Sequence, residues 1–160
     1  ILFEYNNLHP SEMEKRTEIL KHFLGATGKQ LLIEQPFRCD YGYNIRVGEN
    51  FYANMGCTIL DEALVTFGDN VLLAPNVSIY TAGHAVNVAQ RIVGWEYAYP
   101  VTVGHNVWIG GNVVILPGVS IGDNSIIGGG SVVTKDIPAN VIAVGNPCKV
   151  IRELTEDELK

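Results

Sequence analysis

At 160 residues and 17.5 kDa, 47% hydrophobic and 18% charged, the chain has the size and balance of one globular domain and not of a disordered segment. Eleven basic against 17 acidic residues, a net charge of −6 and a pI near 5.1, provide no overall attraction to phosphate backbones or anionic lipid, which argues against nucleic-acid and membrane partners. No apolar run approaches the roughly 18 residues of a bilayer span, and no charged start leads into an apolar stretch as in a signal peptide. A soluble protein is expected. The chain opens at Ile1, so a longer natural N-terminus is expected as well. Cys39, Cys57 and Cys148 are odd in number, with no CxxC and no His at zinc-ligand spacing. That usage fits a reduced, cytoplasmic setting and no bound metal.

In chain order, the first predicted element is a helix. Ser11-Glu12-Met13-Glu14 has capping-box spacing after Pro10, and Met13, Leu20, Phe23 and Leu24 recur with a helical period up to Gly25. One short helix is expected within a helical segment over 1–35. From there the composition changes character. The whole chain holds 17 Gly, 18 Val and 15 Ile against 13 Leu, which disfavours a mostly helical protein.

A repeat of six explains the bias. Val103, Ile109, Ile115, Ile121, Ile127 and Val133 place a β-branched aliphatic residue at every step. Three positions after each stands Asn106, Asn112, Gly118, Asn124, Gly130 or Asp136, residue types that tolerate a left-handed backbone at a tight turn. Val107, Val113, Val119, Ser125, Ser131 and Ile137 follow, small or β-branched. Val47-Gly-Glu-Asn-Phe51, Phe67-Gly-Asp-Asn-Val71 and Leu73-Ala-Pro-Asn-Val77 share this grammar. Each hexad is a short strand plus a turn, and such strands bury an apolar face only by stacking as coils of a parallel β-helix. Ile79 and Val103 are separated by four whole hexads, so the excursion at about 80–100 interrupts the repeat without losing its phase. The solenoid is expected over 36–140 and a tail over 141–160, with Thr155 capping a final short helix.

This hexad grammar resembles that of the hexapeptide-repeat transferases, and if three hexads make a coil, as that resemblance implies, residues 18 apart stack. The outward positions are then Trp108 over Ile126, Val114 over Val132 and Ser120 over Pro138, two apolar walls and one less so. Monomers rarely expose such patches, and a closed ring of protomers would bury them.

Two glycine-rich segments carry no nucleotide chemistry: Gly25-Ala-Thr-Gly28-Lys29 is too short for a phosphate loop, and Gly128-Gly129-Gly130 lies inside the hexad register. No GxSxG offers a serine nucleophile. The informative segment is the excursion, which takes His84, Trp95, Glu96 and Tyr97 out of a regular scaffold.

Ala74-Pro-Asn-Val, Thr-Ala-Gly-His84, Gly94-Trp-Glu96-Tyr97, Asn106-Val-Trp108-Ile-Gly-Gly111, Thr134-Lys135-Asp136-Ile-Pro138 and Gly145-Asn-Pro-Cys-Lys149-Val-Ile-Arg152 occur in one order and spacing. Together they resemble the maltose and galactoside O-acetyltransferases, hexapeptide-repeat enzymes that use acetyl-CoA, over residues 36 to 154. The resemblance implies an all-β fold, a left-handed parallel β-helix with a short N-terminal helical segment and a C-terminal tail. It also implies a homotrimer with active sites between subunits.

For chemistry, the resemblance points to His84 as the general base that takes a proton from a sugar hydroxyl as its oxygen attacks the thioester. A backbone N–H at Gly111 would meet the oxyanion. The acetyl-CoA contacts fall on Trp108, Gly111, Gly129, Thr134, Lys135, Lys149 and Arg152, and the acceptor contacts on Asp40, Asn54 and Glu62. Glu96 either orients His84 or touches the acceptor. Asp40 and the Gly-x-Glu-Tyr stretch at 94–97 look like the maltose subgroup, whereas an acid at Glu62 is nearer the galactoside subgroup, so the acceptor stays open between them. His9, His22 and His105 read as structural. The family carries a longer N-terminal helical segment, part of which precedes Ile1, and nothing is transferred from it. Three alternatives compete: a CoA-dependent acyltransferase with a non-sugar acceptor, a zinc-dependent carbonic anhydrase of the γ type, for which the four histidines lack local pairing, and a non-catalytic trimeric scaffold.

Overall fold

The computed structural model describes residues 1–160. The hexad residues Val103, Ile109, Ile115, Ile121, Ile127 and Val133 are all buried, and so are Val107, Val113, Val119, Ser125, Ser131 and Ile137 one position past each turn. Each hexad thus contributes two inward side chains, and strands of two or three residues suffice because the hydrogen bonds run to the coils above and below. The strands assemble into three parallel faces. The first holds Ile45–Arg46, Val65–Phe67, Val101–Val103 and Ser120–Ile121. The second holds Leu31–Ile33, Phe51–Ala53, Leu72–Leu73, Trp108–Ile109, Ile126–Ile127 and Val141–Val144. The third holds Arg38–Cys39, Thr58–Leu60, Ser78–Tyr80, Val114–Ile115 and Val132–Val133. One apolar cluster of 31 buried residues fills the prism from Tyr5 to Cys148.

The edge between the first and second faces shows why the turns favour asparagine. Asn50, Asn70, Asn106, Asn124 and Asn140 all adopt a left-handed backbone, φ 53° to 62°. Their amides form a ladder in which each Nδ2 donates to the next Oδ1, from Asn50 to Asn70, Asn106 and Asn124 at 2.9 Å per link and on to Asn140 at 2.6 Å. Asparagine therefore tolerates the turn and also bonds from coil to coil. On the same edge His105 accepts the Asp69 N–H at 2.9 Å and gives its own backbone N–H to Asp123 at 2.7 Å.

Coil length varies along the axis. Paired residues lie 20 apart at the start (Ile45 with Val65), 36 apart across the excursion (Val65 with Val101), 18 apart beyond it (Trp108 with Ile126) and 16 apart at the end (Ile126 with Ile142). Trp108 over Ile126 and Val114 over Val132 occur as the six-step spacing predicts. Ser120 does not stack on Pro138. Ile137 pairs with Ile121 instead, and Asp136 accepts the Ser120 N–H at 2.8 Å. The chain closes this coil two residues early, with the Ile137 N–H donating to the Ser120 carbonyl at 2.9 Å. Asp136 does not take the left-handed backbone that its place in the repeat suggests, and the next left-handed turn after Asn124 on the first–second edge is Asn140, 16 residues on.

The N-terminal segment contains two helices where one was expected, α1 (Leu2–Asn7) and α2 (Met13–Phe23). The capping box does not form: Ser11 Oγ bonds His9 Nδ1 at 2.8 Å, and Glu12, itself the N-cap, takes the His9 N–H at 3.0 Å. These local bonds compete with the cap. Buried Arg16 on α2 ties the helices to the first coil, donating to the Ile33 carbonyl at 2.9 Å, to Glu34 at 3.0 Å and to the Pro10 carbonyl at 3.2 Å. The Tyr5 hydroxyl donates to the same Ile33 carbonyl. At the other end Lys149–Glu153 returns antiparallel to Val141–Val144. Thr155 does cap, with its backbone N–H and hydroxyl bonded to Glu158 and its Oγ1 accepting the Glu158 N–H, but only a single turn follows and no helix.

Candidate active site

The edge where the third face passes to the first collects most of the acidic and aromatic residues singled out above. Strand ends there align in register, Cys39 beside Ile59 and Leu60 beside Tyr80. The next residues, Asp40, then Asp61 and Glu62, then Thr81, consequently lie in adjacent coils. Asp40 and Glu62 come together as neighbouring carboxyls, and the Asp40 carboxyl is pushed above its ordinary value, first by desolvation and then by the charge of Glu62. Glu62 Oε2 stands 3.4 Å from Thr81 Oγ1, which itself donates to the Leu60 carbonyl at 2.8 Å.

Asp61 is the residue that sequence reasoning missed. It is fully buried, and its carboxylate accepts three consecutive backbone N–H groups: Asp40 at 3.1 Å and Tyr41 at 2.9 Å on Oδ1, Gly42 at 2.8 Å on Oδ2. Two adjacent acids at a strand end were the only signal available. Their different fates, one inward and one outward, follow from the alternation of the strand.

The excursion leaves this same edge after Thr81. Ala82–His84 pairs antiparallel with Glu96–Ala98, with a short helix α3 (Val88–Ile92) between them. Asn87 caps α3 by accepting the Gln90 N–H at 3.1 Å, and Arg91 pins the turn through the Ala85 and Val86 carbonyls at 3.0 Å each. The register sets Glu96 directly opposite His84, with Oε1 3.6 Å from Nδ1. That separation is longer than a hydrogen bond. Both side chains are about 60% exposed, 61% and 60%. Thr134 and Lys135 lie on the same edge further along the axis, exposed, and Lys135 makes no ion pair.

The remaining candidates lie elsewhere on the prism. Asn54, Gly111 and Gly129 follow strands of the second face and so occupy the second–third edge. Gly110 and Gly111 in one coil stack against Gly128 to Gly130 in the next, so backbone is bare of side chains there. The Gly111 carbonyl accepts the Gly130 N–H at 2.8 Å, while the N–H groups of Gly111 and Gly129 donate to nothing within the chain. On the outer side of the second face Trp108, Ile126, Ile142 and Arg152 form one row across four strands. Lys149 pairs in register with Val144 and is exposed. Arg152 is engaged: both guanidinium NH groups reach Glu158 at 2.7 Å. That bidentate pair holds the Glu158 carboxyl down to about 2. Within one chain the candidates therefore divide mainly between two edges flanking the third face, with Trp108 and the tail cations Lys149 and Arg152 on the second face.

The thiols are poor nucleophiles. Burial pushes Cys39 up to about 12, helped by the charges of Asp61 and Asp40, and pushes Cys57 up to about 11.

Comparison with known proteins agrees with this architecture. Residues 100–135 match the bacterial transferase hexapeptide (six repeats) model, and residues 1–28 match the maltose acetyltransferase hexapeptide capping motif. The galactoside O-acetyltransferase of Escherichia coli K12 is 53% identical over 156 residues, 98% of this chain and 77% of that protein. A crystal structure of a maltose O-acetyltransferase from Clostridium difficile 630 superposes with a TM-score of 0.95 at 57% identity, covering 97% of this chain and 83% of that one. A galactoside acetyltransferase in complex with coenzyme A superposes with a TM-score of 0.96 at 52% identity, covering 99% and 79%. With its coils, its capping helices and its sequence all shared with these proteins, the chain belongs to the hexapeptide-repeat acetyltransferases of the galactoside and maltose O-acetyltransferase type.

Proposed function

We propose that the protein transfers an acetyl group directly from acetyl-CoA to a hydroxyl of a maltose-, glucose- or galactoside-type sugar, with His84 as the general base. The observation that carries this reading is the strand register that sets Glu96 opposite His84 on the edge that also bears Asp40 and Glu62. With Nδ1 turned to Glu96, Nε2 is left to take the hydroxyl proton while the sugar oxygen attacks the thioester carbonyl. The free N–H of Gly111 meets the oxyanion. As the tetrahedral intermediate collapses, the carbon–sulfur bond breaks and the proton on His84 passes to the leaving thiolate, giving the sugar ester and free CoA. The raised thiols of Cys39 and Cys57 argue against an acetyl-enzyme intermediate.

Acetyl-CoA is the donor in this reading because a neighbour of the same fold binds coenzyme A. The bare glycine strip, Trp108 and the cations Lys135, Lys149 and Arg152 suit its pantetheine arm and phosphates. Asp40, Asn54 and Glu62 hydrogen-bond the sugar. A trimer unites the two edges, since the His84 edge of one protomer completes the Gly111 edge of the next and covers the exposed His84–Glu96 pair.

Thiol release from acetyl-CoA across maltose, glucose, galactosides and non-sugar acceptors tests the reading, with His84→Ala beside wild type. Sugar-dependent release should fall by about 10²–10⁴-fold in the variant. Release stimulated only by a non-sugar, or unchanged in the variant, would overturn it.

A further inference from the structure

The segment Asp40-Tyr41-Gly42-Tyr43-Asn44 is tied down at its base by the next coil. Three of its backbone N–H groups end on the buried Asp61 carboxylate, and the Asn44 side chain donates to the Asp61 carbonyl at 2.8 Å. Gly42, with φ 82°, lies so close beneath the Phe23 ring of α2 that a Cβ there would stand 2.4 Å from it. The Gly42 carbonyl accepts the N–H groups of both Gly25 and Ile45, at 3.2 and 2.9 Å. The Asp40, Tyr41 and Tyr43 side chains of the same segment are turned to solvent. Asp40 is exposed, and Tyr41 and Tyr43 are 47% and 61% exposed with ring centroids 5.3 Å apart. A loop with a fixed backbone and an outward carboxyl and aromatic pair is built for recognition, because ring faces meet the C–H faces of a sugar while the carboxyl meets its hydroxyls.

We propose that Asp61 is a positioning residue of the acceptor side: by gathering the Asp40, Tyr41 and Gly42 N–H groups it presents Asp40, Tyr41 and Tyr43 to the sugar, next to Glu62. The inference rests on the acceptor reading given above. Replacing one carboxylate oxygen by an amide NH2 in Asp61→Asn turns a donor toward backbone donors, so at least one of the three bonds is lost and the loop loosens without changing its own side chains.

Steady-state kinetics on the full chain tests this, with whichever of maltose, glucose or methyl β-galactoside wild type turns over most rapidly, alongside amide hydrogen exchange. Asp61→Asn should raise the acceptor KM by about tenfold, the scale expected when a contacting group is displaced, with kcat and the acetyl-CoA KM within about twofold. The Asp40, Tyr41 and Gly42 amides should exchange faster. Tyr43→Ala, which leaves the base intact, should also raise the acceptor KM and keeps the test open if Asp61→Asn does not fold. Glu62→Gln separates the two readings. If it raises the acceptor KM while Asp61→Asn or Tyr43→Ala does not, or if Asp61→Asn shifts both KM values equally, the positioning role is wrong. If Glu62→Gln leaves the acceptor KM unmoved, the acceptor side itself is misassigned and the inference fails with it.

Discussion

Desolvation and the neighbouring Glu62 charge hold the Asp40 carboxyl above its ordinary value, so it keeps its proton more tightly in the folded chain than in the unfolded one. Such a group favours folding at low pH and loses that advantage as pH rises from the usual carboxylate value through the raised one. As pH rises it comes to face Glu62 as a like charge, which the proposed acceptor role would retain for binding rather than for stability. Asp40→Asn should therefore raise Tm relative to wild type more at pH 7 than at pH 4, while weakening sugar binding. Thermal scans at the two pH values check it, and a Tm gain that is equal or larger at pH 4 would contradict the like-charge account. The exposure of Asp40 keeps the size of the gain small. His105 illustrates a residue of the opposite kind. Its ring nitrogen takes the Asp69 N–H in the turn edge, which leaves it a link between coils rather than a group that meets substrate.

Among the elements, the returning strand Lys149–Glu153 and the turn after it hold Arg152 against Glu158. Hydrogen bonds from Arg152, then from the Thr155 backbone, pull the Glu158 carboxyl to about 2, so this surface pair persists until pH falls well below the ordinary carboxylate value. A cation already paired is a weaker anchor for a phosphate. Glu158→Gln should accordingly lower the acetyl-CoA KM by about two- to threefold with the acceptor KM unchanged; titration of CoA binding at low salt reads the same shift, and an unchanged KM would remove Arg152 from the donor site. The elements also show what a sequence does and does not reveal. The hexad faces were legible because one buried β-branched residue recurs every six positions. Thr155 was legible as a cap although no helix follows it. The 16-residue last coil was not, since the six-step repeat carries no sign that Ile137 rather than Ala139 meets Ile121. The meeting of Asp40 with Glu62 was hidden for a similar reason: it depends on a 20-residue coil, whereas the later repeats have 18. Asp61 was hidden because an acid is ordinarily exposed, so the alternation that carries it inward two residues after Ile59 ran against its residue type.

At the scale of the whole molecule, the proposed site residues divide between two edges. His84, Glu96, Asp40 and Glu62 leave the third–first edge, and Asn54, Gly111 and Gly129 leave the second–third edge, with a five-stranded face between them. In the proposed trimer a site drawn from both belongs to two copies of the chain, which makes complementation the decisive measurement. Mixed assemblies of His84→Ala and Asn54→Ala protomers, each inactive or impaired alone, should regain activity, because random assortment leaves about one site in four with both residues intact. Co-refolding the two variants and measuring thiol release checks it, and no recovery in verified mixed trimers would mean that one chain supplies the entire site.

The asparagine ladder has a direction, since every link donates from the earlier coil to the later one. It therefore has a free acceptor at Asn50 and a free donor at Asn140, the polarity of a fibril able to grow head to tail. The helices over the first coil and the antiparallel strand over the last make it a fibril of fixed length. Between those two stoppers, insertion or removal of a whole coil leaves every face and edge in place, whereas a single added residue turns inward side chains outward. Evolution can thus lengthen such a molecule in whole rungs, keeping both ends and repositioning the excursion relative to the tail by one strand spacing at a time.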